Sequence, residues 1–216
     1  MDVLARLDET RAAINVLEHP FYQRWSAGEL ADAELGLYAG EYGHAVRALA
    51  EASMATAAAA PVGHAAELHA HALEEAAHVS LWEQFESAAG ATGAQGRALP
   101  ETEECVRTWT AGEDLLEHLA VLYAIEAGQP EVSETKLEGL RTHYGYSAEG
   151  PATEYFSVHA LRDLEHARDA RELIAELIGT VPDPGAQADR MVRRASAALR
   201  GNWSLLDGVE GRARKA

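Results

Sequence analysis

An all-helical fold is predicted for this 216-residue chain by three observations. Alanine dominates an apolar set that makes up 47% of the residues, while strand-favouring runs of Val, Ile and Thr are missing. Apolar side chains recur at spacings of three and four, as Leu35, Tyr38, Tyr42, Val46 and Leu49 do. Proline and glycine punctuate the chain at intervals that suit helices, with no plausible strand pair between the stops. Seven helices with short connections are expected, forming one bundle domain over residues 1–216.

The first helix is expected from Val3 to Leu17, ending before a loop at His19-Pro20-Phe21-Tyr22. The second starts between Ser26 and Asp32 and continues to about Ala59. Pro61 opens the third at its first turn, where a missing N–H is harmless, and that helix runs to about Ala89. A Gly-rich loop over 90–99 precedes Pro100. The fourth helical region spans Glu101 to Ala127, with a jog at Gly112, and stops at Gly128-Gln129-Pro130. A shorter fifth helix holds Ser133 and Lys136 and ends near Tyr144-Gly145. After Gly150-Pro151 a long sixth helix reaches Ile178; Pro182 and Pro184 close it, and the last helix runs from about Ala186 to Leu206.

Charge and cysteine usage exclude several classes of function. The formal charge is −17, and so acidic a surface repels phosphate backbones, so no nucleic-acid partner is expected. Most of these acids belong on solvated faces, but some are candidates for binding cations. A single cysteine, Cys105, leaves no internal disulfide and no Cys-rich zinc site, and fits a reducing compartment. Met1 to Thr10 carries Asp2, Arg6, Asp8 and Glu9 and no signal-peptide stretch. No run of about 18 apolar residues occurs, so a cytoplasmic protein without a membrane segment is expected.

The strongest chemical signal is the run His159-Ala-Leu-Arg-Asp163-Leu-Glu-His166 in the sixth helix. Offsets of 0, 4 and 7, at about 100° per residue, place these three side chains within a sector of roughly 60°. Tyr155, Ala170 and Leu173 share that sector while Arg162, Glu165 and Arg168 fall elsewhere, so the triplet faces largely inward. The third helix adds Glu67, His71, Glu74, Glu75 and His78 ahead of Val79, Leu81, Trp82 and Phe85. Glu75 and His78 form a Glu-x-x-His pair, the spacing by which four-helix di-iron proteins present a carboxylate beside an imidazole. Glu75 is the first choice to accompany His78, with Glu74, His71 and Glu67 behind it. Glu126 continues the stripe of Leu115, Leu119, Leu122 and Tyr123 near a helix C-terminus, where an inward carboxylate is costly without a cation. Glu41, among Tyr38, Tyr42 and Ala45, is a further candidate. Together Glu41, Glu75, His78, Glu126, His159, Asp163 and His166 supply ligands enough for two ions sharing a bridging carboxylate. A set this rich in carboxylates suits iron or manganese better than zinc or copper.

The run His159-x3-Asp163-x2-His166 resembles the signature of the heme-oxygenase-like diiron oxidases, where an upstream Glu is matched by Glu126 and an earlier His by His78. The segments His19-Pro20-Phe21-Tyr22, Gly139-Leu140-Arg141-x-His143-Tyr144-Gly145 and Trp203-Ser-Leu-Leu-Asp207-Gly208 resemble the wider TenA/PqqC superfamily. That resemblance covers nearly the whole chain and implies the heme-oxygenase-like seven-helix bundle. Some members place the acid seven residues before the His78 position, where this chain has His71; others match Glu75. The thiaminase branch uses a Cys in the helix that here reads Leu115 to Glu126, and no Cys occurs there.

The resemblance implies an iron-dependent oxidoreductase holding two iron ions per chain, with manganese as the alternative. It would use dioxygen to oxidise a small organic substrate: an amino acid, an amine or a carboxylic acid. Tyr38, Tyr42 and Tyr155 are candidates to supply protons or line the pocket. Two other readings stand beside this one. A metal-independent oxidase or hydrolase would use His71, His78, His159 and Tyr155 as acid–base groups. A non-catalytic helical module would bind a ligand or partner and tolerate loss of Asp163. A ferritin-like bundle ranks below, since it would want a second Glu-x-x-His on its fourth core helix. A homodimer is compatible with such a scaffold.

Overall fold

Local signals set the helix ends, and the ends decide where the long helices cross. The computed structural model describes residues 2–91 and 97–214, so part of the Gly-rich stretch 90–99 lies outside the described residues. Among the described residues there are nine α-helices and no strand. These are α1 (Val3–Ala13), α2 (Pro20–Ala27), α3 (Asp32–Ala58), α4 (Ala65–Ala88), α5 (Pro100–Trp109), α6 (Leu115–Glu126), α7 (Gln129–Thr142), α8 (Glu154–Leu177) and α9 (Pro184–Ala213). Helix packs on helix throughout the described residues, as an all-α bundle requires. None of its helices is long and apolar enough to cross a membrane.

The expected seven helical stretches are present, and the differences from expectation have local causes. His19-Pro20-Phe21-Tyr22 is no loop but the start of α2. The His19 ring accepts from the Phe21 N–H (Nδ1, 3.0 Å), Pro20 fills the first turn, and Gly28 at φ +71° ends the helix. The expected jog at Gly112 is a full break, because Asp114 caps a new helix by accepting from the Glu117 N–H at 2.9 Å. Pro61 lies before α4 instead of opening it: Pro61 to His64 close a separate turn, with the His64 N–H on the Pro61 carbonyl at 2.9 Å. The fifth expected helix begins earlier, at Gln129, with Pro130 in its first turn. The last helix continues past Leu206 to Ala213.

Two apolar clusters form the interior. One gathers Phe21, Trp25, Tyr38, Tyr42, Trp82, Phe85 and Phe156 with the C-terminal part of α9. The other joins Leu4, Leu7, Leu68, Leu119, Ala170, Leu173 and Met191. Both α4 and α8 cross from one cluster to the other. α4 passes from Leu68 to Trp82 and Phe85, and α8 from Tyr155 and Phe156 to Ala170 and Leu173. The middle of each helix therefore lies in a layer between two cores. Long-range polar contacts hold the frame: the Trp82 indole donates to the Ala39 carbonyl (2.9 Å), and fully buried Glu117 accepts from Arg190 and Arg194 of α9 (3.0 and 2.8 Å).

α2 and α7 meet at a point where only glycine fits. A Cβ at Gly139 would stand 2.4 Å from the Trp25 Nε1, which donates to the Lys136 carbonyl. Gly139→Ala gains roughly 1 kcal/mol of helix propensity. Overpacking against a fully buried indole costs about 1–3 kcal/mol and more for so deep an overlap. The variant is expected to unfold at lower urea concentration with an unchanged m-value, and a midpoint at or above that of the parent would contradict this packing.

Candidate metal centre

α4 and α8 present the same pattern to each other. α8 carries His159, Asp163 and His166, and α4 carries His71, Glu75 and His78, each at offsets of 0, 4 and 7. The helices run antiparallel, so the first histidine of one meets the last of the other. The His71 and His166 rings are 3.9 Å apart between centroids, and those of His78 and His159 4.5 Å. The two acids occupy the middle. Glu75 Oε1 lies 3.2 Å from His78 Nδ1 and 3.6 Å from His166 Nδ1, and its Oε2 lies 3.8 Å from His159 Nε2. Asp163 Oδ1 is 3.7 Å from His166 Nδ1.

Glu126, at the end of α6, breaks the symmetry by joining one side only, with Oε1 3.1 Å from His71 Nε2. Three groups of donor atoms result: Glu75, His78 and His159; Glu75, Asp163 and His166; and His71, Glu126 and His166. Glu75 and His166 each belong to two of them. Around this set, the His159 Nδ1 donates to the Tyr155 carbonyl at 2.7 Å. A carbonyl can only accept, so the neutral His159 ring carries its proton on Nδ1 and turns Nε2 to the cluster as an acceptor. His166 Nε2 meets Glu74 Oε2 at 3.3 Å, and Glu74 is itself clamped by Arg162 (2.7 and 2.8 Å).

Burial acts on all of these groups, and the neighbours decide the outcome. Burial pushes Glu126 above the usual carboxylate range, with His71 offsetting only part of the effect. It does the same to Asp163 against His166 and His159. Glu75 is also pushed up by burial, but the His159 and His78 imidazoles win and hold it well below that range. Burial lowers His166, yet Asp163, Glu126 and Glu75 carry it up to about 9. His71 and His159 are raised for the same kind of reason. Without another cation, protons are what balance this cluster.

Six of the seven ligand candidates read from the sequence meet here; Glu41 does not. Its carboxylate accepts from the Leu99 N–H (3.0 Å) and the Thr102 hydroxyl, at the start of α5, where the positive end of a helix dipole attracts it. His71 joins the centre instead. Its signal in the sequence was the His-x3-Glu-x2-His run, which repeats the α8 pattern. Of the lesser alternatives, Glu74 braces His166 from outside and Glu67 lines a cavity leading in.

Of the three tyrosines, Tyr155 stacks directly on His159 at 3.9 Å. Tyr38 and Tyr42 are a layer away behind Trp82, whose ring lies 4.8 Å from Tyr155 and 5.1 Å from Tyr42. Among them sits Lys136, to which the sequence assigned only a place in the fifth expected helix. Lys136 is 1% exposed, with Nζ 4.6 Å from the Tyr42 centroid, 5.2 Å from Phe156 and 5.4 Å from Tyr38. Burial alone lowers it to about 7. Its sequence signal was a lysine interrupting the inward stripe of Val132 and Leu140 at i+4.

A family model described as iron-containing redox enzyme matches residues 37–202. The chain is 32% identical to a 4-aminobenzoate synthase of Nitrosomonas europaea, over 94% of this chain and 89% of that protein. It is 31% identical to a 4-aminobenzoate synthase of Chlamydia muridarum, over 90% of this chain and 87% of that one. Among solved structures, a domain with a heme oxygenase-like fold from Shewanella denitrificans superposes with a TM-score of 0.80, covering 99% of this chain and 94% of its own. At 18% identity that likeness speaks for the fold alone.

Lys136 links stability to pH. Held at about 7 in the fold against 10.5 as its ordinary value, it binds fewer protons folded than unfolded between those limits. Its contribution to stability therefore rises with pH from about 7 to about 10.5. Relative to Lys136→Met, the parent protein is expected to gain stability as pH is raised from 7 to 9.5 in urea titrations. Parallel curves for the two proteins would mean that the ammonium stays charged among the rings.

Proposed function

The chain belongs to the family of iron-containing redox enzymes, and on that premise we propose that it is a dinuclear iron oxidase whose product is 4-aminobenzoate. One observation carries the dinuclear part. Of nine buried side-chain atoms without a hydrogen-bond partner among the described residues, seven belong to His71, Glu126, His159, Asp163 and His166. Each such atom costs about 1–3 kcal/mol, and more when charged, unless something meets it. Three buried carboxylates and four imidazoles converging on shared points fit hard divalent cations. The carboxylates of Glu75, Glu126 and Asp163 offset most of the positive charge of two ferrous ions.

In this reading Glu75, His78 and His159 would hold one ion and His71, Glu126 and His166 the other, with Asp163 completing the donor set. Manganese would suit the same donors. Bound iron would supply the electrons for reducing dioxygen, the co-substrate of this proposal. The protein's own groups prepare the surroundings. Tyr155 orients His159 through its carbonyl and covers it with its ring. Trp82, Tyr42, Tyr38 and Phe156 pack against one another beside the centre and exclude water from it. Burial raises the phenols of Tyr38, Tyr42 and Tyr155 well above their usual value, so they remain proton donors. The Lys136 Nζ, near neutrality in its titration, can give up or take a proton at ordinary pH.

Anaerobic titration with ferrous iron is expected to reach two ions per chain. Admitting air with a reductant and a panel of aromatic amines and amino acids as organic substrates should then yield 4-aminobenzoate from one of them, detected by mass spectrometry. Asp163→Asn should abolish full loading and product. Glu74→Gln, which loosens the brace on His166, should weaken iron binding by about 10–100-fold. Glu41→Gln should load like the parent. A single tightly bound ion would defeat the dinuclear reading, and a fully loaded protein that consumes oxygen without forming 4-aminobenzoate would defeat the product assignment.

A further inference from the structure

A cavity of about 250 Å³ opens between α4 and α8 and ends on the rings of His71 and His166. We propose that this cavity is the route by which a divalent cation reaches the centre, with the acids at its mouth as a transient outer binding site. The inference rests on the metal-centre reading above and adds to it a path and a set of residues.

The inner end is a wall of ligand candidates. His166 is 6% exposed, and its Nδ1 has no hydrogen-bond partner among the described residues. The outer end is flanked by an exposed pair, His64 Nε2 and Glu176 Oε1 at 3.2 Å. Between them Glu67 projects from α4, and Asp169 and Glu172 from α8. From Glu176 to His166 the α8 side offers an acid or imidazole at about every turn, over roughly 15 Å of helix.

The lining chemistry selects the passenger. Four carboxylates line the cavity and no Lys or Arg does. Asp169 is paired with Arg168, but Glu67 and Glu172 enter no ion pair among the described residues. The rest of the wall is apolar, with Leu68, Leu119 and Leu173. Negative charge along low-dielectric walls concentrates cations and repels organic anions. A second cavity of similar volume, beside Arg11, Gln129 and Asn202, touches none of the seven ligand candidates. Of these two cavities, the acid-lined one alone reaches the candidate ligands.

The test measures loading and not turnover. Apo protein is mixed anaerobically with Co²⁺ in a stopped-flow instrument, following the visible absorbance of the bound ion and the fluorescence of nearby Trp82. The triple variant Glu67→Gln, Glu172→Gln, Glu176→Gln is compared with the parent across a range of salt. The loading rate is expected to fall by about tenfold or more, with a weaker salt dependence, while final stoichiometry and spectrum stay the same. Equal rates and equal salt slopes would overturn the route. So would a variant that loads at the parent's rate but releases faster, since the acids would then belong to the centre itself. A parent protein that binds no Co²⁺ at any rate would instead defeat the metal-centre reading.

Discussion

The structure turns on a layer of inward-facing carboxylates and imidazoles enclosed between two apolar cores. Leu68, Leu119 and Leu173 close it on one side, and Trp82, Phe85 and Phe156 on the other. Water cannot solvate Glu126 or Asp163 there, and the protein offers them too few donors. A layer of this kind costs stability in the empty protein, and a cation removes the cost. The rest of the bundle holds that layer in register: Glu117 ties α6 to α9, the Trp82 indole ties α4 to α3, and the close approach at Gly139 seats α7 on α2.

The near two-fold relation of α4 and α8 explains why the centre is both dense and uneven. Identical offsets on antiparallel helices bring each terminal histidine beside its counterpart and both acids to the middle. Glu126 joins the His71 and His166 side, while Tyr155 and Trp82 cover the His78 and His159 side. One flank of the centre is thus richer in charge and lies next to the acid-lined cavity. The other faces the aromatic cage around Lys136. On the proposed reading, metal access and organic chemistry would lie on opposite flanks of the centre.

Lys136 shows how a buried lysine can be kept without a carboxylate partner. Ring faces of Tyr22, Tyr38, Tyr42, Trp82 and Phe156 surround its Nζ and attract a cation, but they do not replace a hydration shell. Desolvation therefore prevails and lowers its affinity for a proton. The phenols respond to the same surroundings in the opposite sense, because for them the charged form is the deprotonated one.

The sequence by itself determined the helical class, the course of the long helices and the inward triplet of α8, because these depend on periodicity along one helix. It also pointed to Glu75, His78 and Glu126, whose position within apolar stripes is a local property. Helix ends around His19 and Asp114 were less legible, since a cap depends on one side chain reaching one backbone group. What only the tertiary structure decided was partnership between helices. Glu41 stands among the seven candidates read from the sequence and His71 only behind Glu75, but α5 supplies donors that claim Glu41, while α8 brings His166 against His71. Lys136 lies on the inward stripe of its own helix, and only the rings of α2, α3, α4 and α8 that close over it show its surroundings. A spacing pattern records which way a side chain faces on its own helix. It does not record what another helix will place opposite, and that is where the charges of this centre are settled.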